Sequence, residues 1–322
     1  MKKMRVFLVL AMSAILLAGC GKPAGQQAVN QEAAKEDREV TFQDSLGHEI
    51  TVKNPKKVAV LMGSFVDVWQ SAGGTVSATV KDSWTNPNLK LGNDVVNLGD
   101  QYHPNLEQLI SEKPDFIIGS SKFDAQTGLY DQLKQAGIPA AFFKVDSFDD
   151  YLSMLKIMTD ITGRTDLYEQ NGIKVQEQIA QVKKRADGSH PRVLVIRVAS
   201  SGAIKVMGSN EIVLGEILKD LGAKNVADTD SSIKGDFSME AVVASNPDYI
   251  FATTMGSDTD KAKQAVDKTL SSDPAWQSLT AVKQGKFHMM DKFLYQIKPN
   301  ANWGKAYEGV ADILFSKQEG SK

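Results

Sequence analysis

The chain has 322 residues, a net charge of −2 at pH 7, 42% hydrophobic and 24% charged residues, and a single cysteine. That near-neutral balance removes the electrostatic reason to expect a nucleic-acid partner, and one thiol forms no internal disulfide. A chain this long suits two domains of ordinary size better than one core.

At the N-terminus, Lys2, Lys3 and Arg5 lead into an apolar run from Val6 to Ala18 that only Ser13 interrupts. A helix needs roughly 20 apolar residues to span a bilayer, so residues 1–19 read as an export signal rather than a permanent span. Leu17, Ala18, Gly19 and Cys20 resemble the lipobox of bacterial lipoproteins, in which the cysteine is lipidated and the chain is cut just before it. The resemblance makes Cys20 the anchor site, where the two chains of a diacylglyceryl group hold firmly and one chain would hold marginally. The plainer alternative is an ordinary signal peptide with an incidental cysteine. Residues 20–38 are rich in Gly, Gln, Ala and charge, with no period that buries a face, and read as a flexible tether.

Val40 to Val52 reads as two short strands around a turn near Asp44 to Gly47. Beyond Pro55, short apolar runs read as buried strands at Val58 to Met62, Asp115 to Gly119, Ala140 to Val145, Val193 to Val198, Tyr249 to Ala252 and Phe287 to Met290. Amphipathic stretches lie between them, among them Asn105 to Glu112, Leu129 to Ala136, Glu211 to Leu221 and Ala301 to Phe315. Such alternation predicts an α/β protein whose sheets are mostly parallel and covered on both faces.

Two segments, Asn105 to Ser121 (NLEQLISEKPDFIIGSS) and Ser238 to Thr254 (SMEAVVASNPDYIFATT), align without gaps and share Glu, Pro, Asp and a following Ile. Each reads as a helix, a Pro-Asp break and a buried strand, so the chain is expected to hold two lobes of similar construction. Between them, Phe148 to Ile161 and Thr165 to Arg185 are helix-compatible, with a break at Thr162, Gly163 and Arg164. The second stretch spaces Leu167, Ile173, Val175, Ile179 and Val182 among Gln, Lys and Glu, the pattern of a long, partly exposed helix. At 1.5 Å per residue it would run roughly 30 Å, enough to bridge two lobes. The expected organisation is an N-terminal α/β lobe over 39–164, a linking helix over 165–188 and a C-terminal α/β lobe over 189–322.

The opening TFQDSLGHEITVKNPKKVAVL (Thr41 to Leu61), the two repeat segments and the closing YQIKPNANWGKAYEGVADILF (Tyr295 to Phe315) resemble the class III solute-binding proteins of siderophore, haem and vitamin B12 importers. The resemblance extends over the whole chain beyond the tether; His48 departs from it, standing where Arg is usual. It implies the class III periplasmic-binding-protein fold, two α/β lobes joined by one long rigid helix, with little lobe movement on binding. It also implies a non-enzymatic monomer, lipid-anchored to the outer face of the cytoplasmic membrane of a Gram-positive host. Such a protein needs no cofactor and carries a ferric siderophore or haem to an ABC permease dimer with its cytoplasmic ATPase. Glutamates matching the family's permease-docking positions are Glu107 and Glu240. Both fall in a first helical turn, where the helix dipole favours a carboxylate with or without a partner.

Ligands of open α/β sheets bind beyond the carboxyl ends of strands. The loops there offer Trp84, Tyr102, His103, Arg197, Lys234, Met255, Tyr295 and Lys298 as candidate ligand-binding residues. Cations and aromatics suit an anionic ferric siderophore, whereas haem wants axial His, Met or Tyr, for which Tyr102, His103 and Met255 stand at the loops the resemblance points to. A corrinoid remains an alternative cargo. An exported enzyme is the rival class, but the chain has no G-x-S-x-G, H-E-x-x-H, P-loop or G-x-G-x-x-G motif. Four scattered histidines do not suit a carrier of free metal ions.

Overall fold

The computed structural model describes residues 38–230, 232–256 and 258–315. The expected export signal, Cys20 and nearly all of the tether lie outside the described residues. Among those described, no helix is long and apolar enough to cross a membrane.

Strands Glu39–Gln43 and Glu49–Lys53 pair antiparallel. Asp44 makes their turn, its Oδ1 accepting from the N–H groups of Leu46 and His48, both at 2.9 Å. Its Oδ2 accepts from Phe142 N at 3.0 Å, which fastens the hairpin to the first sheet. That sheet runs in the spatial order Val96–Asn97, Ala78–Thr79, Val58–Val60, Phe116–Ser120, Ala140–Phe143, every pair parallel. The chain starts in the middle at Val58–Val60, works outward to one edge and returns to the other side at Phe116–Ser120. The crevice beside that switch of direction is where such sheets receive ligands.

The second sheet centres on Arg192–Ala199, which pairs parallel with Tyr249–Met255; Phe287–Met289 continues parallel on the far side. The short strand Lys224–Asn225 also pairs parallel with its start. Ile204–Val206 and Gly235–Asp236 join antiparallel, an edge too short to show as a pattern in the sequence. The fold is the expected α/β class with mostly parallel sheets.

The repeat is repeated in three dimensions. Asn105 and Ser238 cap the helices Leu106–Ser111 and Met239–Ser245 by accepting from the third backbone N–H beyond them. Lys113 (φ 50°) and Asn246 (φ 36°) take the same left-handed turn after these helices. Asp115 Oδ2 then accepts from Lys56 N and Asp248 Oδ2 from Arg192 N, each at 2.7 Å, so that one carboxylate per lobe ties the incoming strand to the first strand of its sheet.

Helix Phe148–Thr162 opens with a capping box between Ser147 and Asp150 and ends at Gly163, whose φ of 73° stops it. The following run is helical from Thr165 to Lys183, with a wider π turn at Glu169–Ile173, and so ends short of the expected residue 188. Gly172 in that turn lets the preceding helix approach closely: a Cβ there would lie 2.8 Å from Leu152 Cδ1. The linking helix packs along the last helix, Trp303–Phe315. One continuous apolar cluster includes Val60 and Phe116 of the first sheet, Ile179 of the linking helix, Trp303 of the last helix, and Val195 and Phe251 of the second sheet.

Ile179 is 5% exposed within that cluster. Ile179→Ala is expected to cost about 2–5 kcal/mol and to destabilise both sheets together. Hydrogen exchange against denaturant should show strands Phe116–Ser120 and Arg192–Ala199 losing protection at one shared, lowered midpoint; separate midpoints would contradict a single cooperative core.

Candidate functional site

A cavity of about 440 Å³ lies where the ends of strands from both sheets face each other. The first sheet contributes Met62, Gly63 and Ser64 after Val58–Val60, Asp82, Thr85 and Asn86 after Ala78–Thr79, and Asp100 to Tyr102 after Val96–Asn97. The second contributes Met255 and Gly256 at the end of Tyr249–Met255, and Lys292, Phe293 and Gln296 to Lys298 after Phe287–Met289. Its size and its mixture of apolar wall with a few polar groups are those of a small-molecule site.

The first-lobe loops are held by two polar side chains, one buried and one half-buried. Gln126 donates through Nε2 to the carbonyls of Leu61 and Gln101, each at 2.8 Å, while its Oε1 accepts from Ser120 N at 2.8 Å. One amide therefore sets three strand-end loops. Asp82 accepts from Gly63 N at 3.1 Å through Oδ2, which binds the carboxylate to the N-terminal end of helix Gly63–Ser71. Gly63 is required there, since a Cβ would come within 2.9 Å of Asp82 Oδ2. On the second lobe, Lys292 Nζ donates to Gly256 O, and Thr253 Oγ1 donates to Gln296 Oε1 at 2.9 Å.

The charges in the cavity are strained by burial. Burial raises the Asp82 carboxyl above its ordinary range, against the Gly63 N–H, and Asp100 adds to the rise. Burial lowers the Lys292 ammonium, with Asp82 opposing. Lys298 is pushed down to about 8 by burial and by Lys122, with its Nζ 5.8 Å from the centre of the Phe65 ring.

The sequence candidates divide. Tyr102, Met255 and Lys298 line the cavity. Tyr102 is 46% exposed and Met255 40%, and they face the cavity from opposite lobes. Tyr102 is set by an Asx turn, its N–H donating to Asp100 Oδ1 at 2.8 Å, and packs edge-on against Phe123. Trp84, 45% exposed, lines an adjoining hollow of about 400 Å³ that shares Asn86 with the cavity. The other four lie off it. His103 is exposed on the two-residue strand paired with Asp100 and does not line the cavity. Lys234 is ion-paired with Glu211 at 3.1 Å, and neither it nor Arg197 lines the cavity. Tyr295 is 5% exposed, with its hydroxyl donating to Ala306 O at 3.3 Å, which makes it core.

Asp82, Asp100, Gln101, Gln126, Lys292 and Phe293 were not singled out from the sequence. They sit in loops or in helices and strands too short to show a period, such as Asp124–Thr127 and Lys292–Tyr295. Among the described residues no cluster of His, Cys, Asp or Glu is arranged to hold a metal ion.

Glu107 and Glu240 lie in the first turns of the two repeat helices, both exposed and without an ion pair among the described residues. Glu240 borders a shallow hollow that also includes Arg192 and Ser238.

The sequence model of a family described as periplasmic binding protein matches residues 58–293. The uncharacterized ABC transporter substrate-binding lipoprotein YvrC of Bacillus subtilis (strain 168) is 27% identical over 324 residues, covering 98% of this chain and 97% of its own. The Fe(3+)-citrate-binding protein YfmC of the same organism is 24% identical over 296 residues, covering 90% of each chain. Among solved structures, Staphylococcus aureus IsdE complexed with heme superposes with a TM-score of 0.64 at 19% identity, covering 81% of this chain and 99% of its own, which shows a shared fold.

Beside the cavity, Asn300 Nδ2 donates to Ser64 O and to Asp67 Oδ2, both at 2.8 Å, and so joins the last loop to the first lobe. Burial pushes the Asp67 carboxyl up to about 6, the Asn300 bond opposing. The native pKa lies above the ordinary value of 3.8, so the folded chain holds a proton that the unfolded chain releases. Stability from this group therefore falls as pH rises through the window from about 4 to about 6. Asp67→Asn keeps an acceptor for Asn300 but does not titrate. Its thermal midpoint should match the parent near the bottom of that window and exceed it above the top; an equal gap at both ends would contradict the assignment.

Proposed function

This chain belongs to the periplasmic binding protein family, and from that premise we propose that it captures an iron chelate, a ferric siderophore or haem, and hands it to an ABC importer. The family is one of binding components, so the chemistry is capture and release without a reaction. The observation that carries the reading is the cavity lined by strand ends of both sheets, with Tyr102 on one side and Met255 on the other. Fe(3+)-citrate in one relative's name and heme in one fold neighbour's support an iron chelate as cargo. If the cargo is haem, Tyr102 and Met255 are its axial candidates, and His103 is not.

Cys20 carries the lipid anchor in this reading, residues 21–38 form the tether, and the site faces outward from the cytoplasmic membrane of a Gram-positive cell. The lipoprotein named among the relatives, and its Bacillus host, support both points. Glu107 and Glu240, exposed at equivalent places on the two lobes, orient docking onto a permease dimer that works with a cytoplasmic ATPase.

Visible absorption on titrating the chain with haem, and tryptophan fluorescence on titrating it with ferric chelates, test the cargo directly. A saturable shift of the Soret band that Tyr102→Phe or Met255→Ala alters makes it a haem carrier. Quenching by a ferric chelate without haem binding makes it a siderophore carrier, and no response to either class overturns the proposal.

Reversing both docking charges, Glu107→Lys with Glu240→Lys, is expected to abolish uptake in cells while ligand affinity stays within about twofold of the parent. A matching loss of affinity would place the glutamates in the ligand site instead.

A further inference from the structure

The polar groups of the cavity are sorted by lobe. Asp82 and Asp100 belong to the first lobe, Lys292 and Lys298 to the second, so the lining carries no net charge but is acidic on one side and basic on the other. On the acidic side Asp100 is exposed, and its carboxylate, which accepts from Tyr102 N at 2.8 Å, has room to accept further hydrogen bonds. On the basic side Lys298 has no ion pair among the described residues.

We propose that the ligand is two-faced and of low net charge, presenting an ammonium or N–H donors to the side of Asp82 and Asp100 and an acceptor-rich, anionic edge to Lys292 and Lys298. This rests on the iron-chelate reading and narrows it. A chelate whose whole periphery is anionic, such as a ferric triscatecholate with three negative charges, meets repulsion from Asp82 and Asp100. A ferric trihydroxamate that bears amide N–H groups and a terminal ammonium matches both sides. The upward shift of the Asp82 carboxyl agrees with this, since a bound cation restores the charged form that burial disfavours.

The test is a fluorescence titration of the detergent-solubilised full chain with three ferric complexes: a trihydroxamate with a free terminal ammonium, the same compound N-acetylated at that amine, and a triscatecholate. The ammonium-bearing complex should bind at least about tenfold tighter than either of the others, the scale of one charge-assisted hydrogen bond. In Asp82→Asn, which keeps an acceptor for Gly63 N, the advantage over the acetylated complex should disappear. Tightest binding of the triscatecholate, or an ammonium advantage unchanged in Asp82→Asn, overturns the inference while leaving the iron-chelate reading intact. Failure of all three complexes and of haem to bind overturns that reading and this inference together.

Discussion

The apolar cluster that passes unbroken from the first sheet, through the linking helix and the last helix, into the second sheet is the constraint on which the rest of the molecule depends. Two lobes joined only by a strand or two can turn about the joint, because bending a few backbone angles exposes little. Here the joint is itself core. Val175, Ile179 and Val182 lie on one face of the linking helix, all buried, and separating the lobes would expose them with Trp303, Tyr307 and Val310. Asn300 adds a buried polar clasp at the edge of the cavity, and its donor is satisfied only while the last loop stays against helix Gly63–Ser71. The cavity is thus framed by the folded core itself.

Within that frame, each lobe uses the same unit of capped helix, left-handed turn, carboxylate tie and buried strand. One unit does two things. In the second-lobe copy its strand end delivers Met255 to the cavity. Its first helical turn exposes a glutamate on the outside. The exposed glutamate and the strand end thus lie at opposite ends of one local structure, and the shared core holds the two glutamates in fixed relation to each other.

The repeat, the hairpin, the six main strands and the break at Gly163 were legible in the sequence because each has a local signature: a gapless match, an alternation, an apolar run, a left-handed glycine. The antiparallel edge of Ile204–Val206 and Gly235–Asp236 was not, since strands of two or three residues carry no period. Of the residues the strand-end rule pointed to, Tyr102, Met255 and Lys298 line the cavity and Arg197, Lys234 and Tyr295 do not. Cations look alike in sequence until their partner is seen, and Glu211 is that partner for Lys234. Tyr295 looked like a loop aromatic because the four-residue helix Lys292–Tyr295 is too short to show which side it buries. Gln126 was invisible for the converse reason: a polar residue in a short helix reads as surface, and only the three backbone groups it satisfies explain its burial.

A pair of spin labels replacing Asp131 of the first lobe and Lys263 of the second, both exposed and on helices, measures the frame directly. Addition of a ligand that saturates the cavity should leave the interlabel distance within about 2 Å of its value in the empty chain. A shortening by about 10 Å or more, as in hinged two-domain closure, would contradict a core that holds the lobes in place.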